Sequence, residues 1–68
     1  MSVVKVTEIM CDSKESFEDA INDGIARASK TIHNIQSAWI KEQKVVVEND
    51  KVSEYRVAMK VSFIVDEA

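Results

Sequence analysis

The sequence predicts an α+β fold with the element order β-α-β-β. Three observations predict it. Residues 3–10 are rich in β-branched side chains. Residues 14–32 carry apolar positions at helical spacing. Residues 36–48 and 52–65 are two extended segments joined by the turn signal Asn49-Asp50-Lys51.

The first strand, VVKVTEIM, gives way at Cys11-Asp12-Ser13. Ser13 is the expected N-cap, because its hydroxyl can accept from a free N–H of the first turn. Glu15, Glu18 and Asp19 place negative charge at the positive end of the helix dipole. Phe17, Ala20, Ile21, Gly24, Ile25, Ala28 and Ile32 form one stripe. Gly24 lies inside that stripe, at a cost of up to about 1 kcal/mol relative to Ala, and close packing of helix on sheet is the expected reason. His33-Asn34 reads as the exit turn.

The third strand alternates cleanly. Tyr55, Val57, Met59, Val61, Phe63 and Val65 share one face, against Arg56, Ala58, Lys60 and Ser62 on the other. The second strand changes phase: Ala38 and Ile40 have one parity, Val45 and Val47 the other. Two explanations stand: a bulge near Glu42-Gln43-Lys44, or a distal end that is apolar on both faces.

A chain of 68 residues with 46% hydrophobic composition is one small globular domain. Such a core rarely supplies more than roughly 3–5 kcal/mol. Cys11 has no partner for an intrachain disulfide, and one His with one Cys cannot complete a structural zinc site. The predicted hairpin is about 40 Å long at 3.4 Å per residue. A helix of about 19 residues reaches only about 28 Å. The distal valines therefore require another subunit. The net charge of -3, with Lys and Arg scattered, argues against nucleic acid. No apolar run exceeds three residues, as at Val45-Val46-Val47, so no membrane span is expected. The first ten residues do not read as a signal peptide, and with a lone thiol the expected location is cytoplasmic.

Three groups of residues carry a family resemblance: Val4-x-Val6 with Glu8-Ile9, Asp12-Ser13 and Ser16-Phe17-Glu18-x-Ala20; Ala28-Ser29-Lys30-Thr31-Ile32-x-Asn34-Ile35; and Glu54-Tyr55-Arg56-Val57-x-Met59-Lys60-Val61-Ser62-Phe63. In this order and over nearly the whole chain they resemble the dodecins. The resemblance implies a three-stranded antiparallel sheet wrapped around one helix. It also implies a hollow homododecamer assembled from trimers, and a non-catalytic role in flavin storage. The implied ligand is FMN or riboflavin, held in pairs between tryptophans at subunit interfaces.

The chain departs from that pattern where flavin is bound. The position of the family's stacking Trp, at the start of the second strand, is Ser37, and the aromatic stands two residues later as Trp39. Period two keeps Ser37, Trp39 and Lys41 on one face, with the indole about 6–7 Å along the strand. Arg56 replaces a family Gln, and its guanidinium has donors only. Lys44 matches a basic position near the flavin's phosphate or ribityl chain. Trp39 thus has three open readings: a shifted stacking platform, a plug for the flavin space, or an interface anchor. The resemblance marks Trp39, Arg56, Lys44 and Ser37 as the flavin-site residues.

Glu15 and Glu42 match acidic positions near divalent cations in some dodecins, and Mg²⁺ or Ca²⁺ favours such oxygens. The alternatives are a helix-dipole role for Glu15 and a solvated or Lys-paired Glu42. A flavin-free shell with a structural or cation-binding role is therefore the competing function. Catalysis has little support. His33 falls in a turn, and Cys11, at a family Gly position, is either a thiol of lowered pKa before a helix or a space-filler.

Overall fold

The structure is a computed structural model that describes residues 3–65. Its elements are β1 (Val3–Ser13), α1 (Phe17–Ala28), β2 (Ile35–Glu48) and β3 (Lys51–Val65). The three strands form one antiparallel sheet in the order β1-β3-β2. The expected α+β order and three-stranded sheet are present. β3 takes the centre because it alone alternates apolar and polar cleanly enough to serve a buried face along its whole length.

The helix is shorter than the sequence suggested, at 12 residues. Its start moves because Ser16, not Ser13, is the N-cap: Ser16 is extended and its Oγ accepts from the Asp19 N–H at 2.9 Å. Ser13 Oγ works one turn earlier, accepting from the Glu15 N–H at 2.8 Å and donating to the Asp19 carboxylate at 2.6 Å. The end moves because two hydroxyls turn on the last carbonyls. Ser29 Oγ donates to the Ala26 carbonyl at 2.7 Å and Thr31 Oγ1 to the Ala28 carbonyl at 3.4 Å. The chain then leaves through Asn34, which holds a left-handed φ of 62°.

Val57, Met59 and Val61 of β3 are fully buried, as is Ala20 of α1. Ile9, Cys11, Phe17, Ile21 and Ile25 pack around this core. Phe17 meets Tyr55 edge to face, with ring centroids 5.2 Å apart. Gly24 rests directly on β1: a Cβ there would lie 2.5 Å from Cys11 Sγ and 3.0 Å from its Cβ. The close-packing reading of Gly24 is correct, and Cys11 is the space-filler opposite it.

The phase change in β2 is a bulge one residue before the expected place. Ile40 pairs with Met59 and Glu42 with Ala58, so Lys41 is the extra residue. Past it, Gln43 and Val45 take over the core parity opposite Val57 and Tyr55. The distal end is also apolar on both faces, since Val45 and Val46 point to opposite sides. The hairpin closes through Asn49 and Asp50, both at left-handed φ (52° and 63°), the pairing that a two-residue type I′ turn requires.

α1 packs on β1 and β3 and leaves β2 uncovered. The molecule is accordingly long and thin, 52 × 19 × 13 Å. Trp39, Ile40, Val45, Val47 and Val52 stay exposed, and so do Val4, Val6 and Met10 on the sheet face away from the helix.

Two outcomes test this packing. Gly24→Ala gains helix propensity of about 1 kcal/mol. It loses more to overpacking, typically about 1–3 kcal/mol. Urea unfolding followed by circular dichroism at fixed protein concentration should therefore show net destabilisation. A double-mutant cycle with Cys11→Ala should show coupling, because the sulfur is the atom the new methyl strikes. In the same assay Ser16→Ala should cost about 1 kcal/mol and Ser13→Ala should not reproduce a cap loss through the Asp19 N–H.

Candidate functional site

The sheet face opposite the helix carries the chemistry. Its residues follow from register: Val4, Val6, Glu8, Met10 and Asp12 on β1 face Ile64, Ser62, Lys60, Ala58 and Arg56 on β3. On the other side of β3, Ser37 faces Ser62, Trp39 faces Lys60, Glu42 faces Ala58 and Lys44 faces Arg56. All four residues expected at the flavin site, Ser37, Trp39, Lys44 and Arg56, thus share one face. They do not share one spot. Lys60 and Arg56 are four residues apart on β3, about 13 Å at 3.3 Å per residue.

Trp39 is 54% exposed and forms one wall of an open depression of about 580 Å³. The other lining residues are Val6, Lys41 and Lys60. That volume lies in the usual range for small-molecule sites. Lys41 shares the parity of Trp39 and so lies on this face, where the bulge adds Glu42 and Lys44, and its Nζ donates to Glu8 Oε1 at 2.8 Å across the central strand. The hydrogen bond and charge of Lys41 hold the Glu8 carboxyl below its ordinary pKa, and Glu8 in turn raises that of Lys41. The Ser37 and Ser62 hydroxyls hydrogen-bond to each other one pair further along. Ser37 is therefore spoken for within the sheet.

Lys44 and Arg56 sit side by side, with Glu54 3.9 Å from the guanidinium. Glu42 lies in a shallow recess with Met10, Lys44 and Arg56, next to the bulged Lys41. Glu15 is exposed in the β1–α1 turn. The chain does not gather Glu15 and Glu42 into one group, and among the described residues no three His, Cys, Asp or Glu side chains converge as a metal site. Cys11 faces the helix, and burial, with Asp12 and Asp23 nearby, pushes its thiol pKa up. A nucleophilic role for Cys11 is thereby corrected: burial and neighbouring carboxylates disfavour the thiolate. A second groove of about 570 Å³ runs between α1 and β1, where Asp12 and Asp23 balance Arg27 and Arg56.

Val6, Lys41, Lys60 and Glu8 were not legible as site residues. Lys60 was readable as polar-face, and Glu8 as strand. The meeting of Val6, Glu8 and Lys60 with Trp39 depends on β3 lying between β1 and β2.

Comparison with known proteins places the chain. The family model described as Dodecin matches residues 3–66. The chain is 35% identical over 63 residues to the calcium dodecin of Mycobacterium tuberculosis, covering 93% of this chain and 89% of that protein. It is 34% identical over 65 residues to the dodecin of Thermus thermophilus, covering 96% and 94%. The solved structure of the dodecin from Streptomyces davaonensis superposes with a TM-score of 0.94 at 35% identity, over 97% of each chain. The match spans both halves of the chain, including the strands that carry the Trp39 face, so this protein belongs to the dodecin family.

Proposed function

We propose that this chain is a non-catalytic flavin-binding and storage protein that works as a cytoplasmic homododecamer built from trimers. The observation that carries the flavin reading is the exposed Trp39 indole, walled by Val6 and two lysines on a sheet face that nothing in the chain covers. An indole of this kind offers a stacking surface for a planar heteroaromatic ring. Lys44 and Arg56 of the same chain meet the far end of a flavin whose ring lies on Trp39.

Assembly is supported by what the single chain leaves bare. β2 has no helix over it, and its Trp39, Ile40, Val45 and Val47 are exposed. Exposed apolar surface on this scale marks an association site. Dodecins are small binding and storage proteins rather than enzymes, and the pushed-up Cys11 thiol and exposed His33 fit that role.

A second reading, a flavin-free shell that binds Ca²⁺ or Mg²⁺, is favoured by one finding: a relative at 35% identity is a calcium dodecin. Glu15 and Glu42 are its candidate ligands. Against it, Lys41, Lys44 and Arg56 surround Glu42 on the same face. Cations and a divalent metal compete for one carboxylate.

Freshly purified protein should be yellow, and should quench FMN or riboflavin fluorescence at micromolar concentration. No quenching of either overturns the flavin reading, and stoichiometric calcium in elemental analysis of colourless protein supports the second. Trp39→Ala should weaken flavin binding about tenfold or more, the worth of one stacking contact. Analytical ultracentrifugation should give a species near twelve chain masses. A stable monomer would refute the assembly.

A further inference from the structure

We draw no further inference here: the strongest candidate, the groove of about 570 Å³ between α1 and the edge strand β1, lined by Cys11, Asp12, Asp23, Arg27 and Arg56, carries nothing because its charges balance and nothing in the structure shows what covers it.

Discussion

The shortage of apolar cover governs this molecule. One helix of 12 residues lies over a sheet whose central strand runs for 15. At 1.5 Å per helical residue and about 3.3 Å per strand residue, the helix shields little more than a third of the sheet's length. The helix settles on β1 and β3, where Gly24 lets its backbone approach Cys11 and where Val57 and Met59 complete the core. Val4, Val6, Met10, Trp39, Ile40, Val45, Val47 and Val52 are left exposed. Stability and function are therefore both pushed outward, onto surfaces that a single chain cannot finish.

The bulge at Lys41 is the second device on which the site depends. It lets one strand serve two phases, with Ile40 on the core side before it and Gln43 and Val45 after it. The same insertion turns Glu42 and Lys44 onto the face that carries Trp39 and Lys41. A local irregularity in an edge strand thus couples the packing of the hairpin to the chemistry of the opposite face. It also disrupts a long edge that would otherwise present an unbroken ladder to other chains.

Charge acquires meaning only on this face. Lys41, Lys44, Arg56 and Lys60 are dispersed in the sequence and read there as ordinary solvated groups. Register places all four on the side away from the helix, interleaved with Glu8, Asp12, Glu42 and Glu54. Around Arg56 the two signs nearly cancel. Near Trp39, Lys41 is paired with Glu8 and has Glu42 beside it.

The sequence by itself determined the element order, the central role of the alternating strand, the helix stripe with Gly24, and the need for more cover than one chain has. Those are local or additive properties: periodicity, β-branching, turn residues and the ratio of helix to hairpin length. It also placed Ser37, Trp39 and Lys41 on a common face, because strand parity is a local property; Lys44 has the opposite parity and joins them only through the bulge. The helix bounds escaped it, since Ser13 and Ser16 offer the same capping chemistry and only the hydrogen bonds decide between them. Tertiary structure alone decided which side chains surround Trp39. Val6, Glu8 and Lys60 reach it through the strand order β1-β3-β2. Contacts between residues more than thirty positions apart follow from register, and a shift of one residue sends a side chain to the other face.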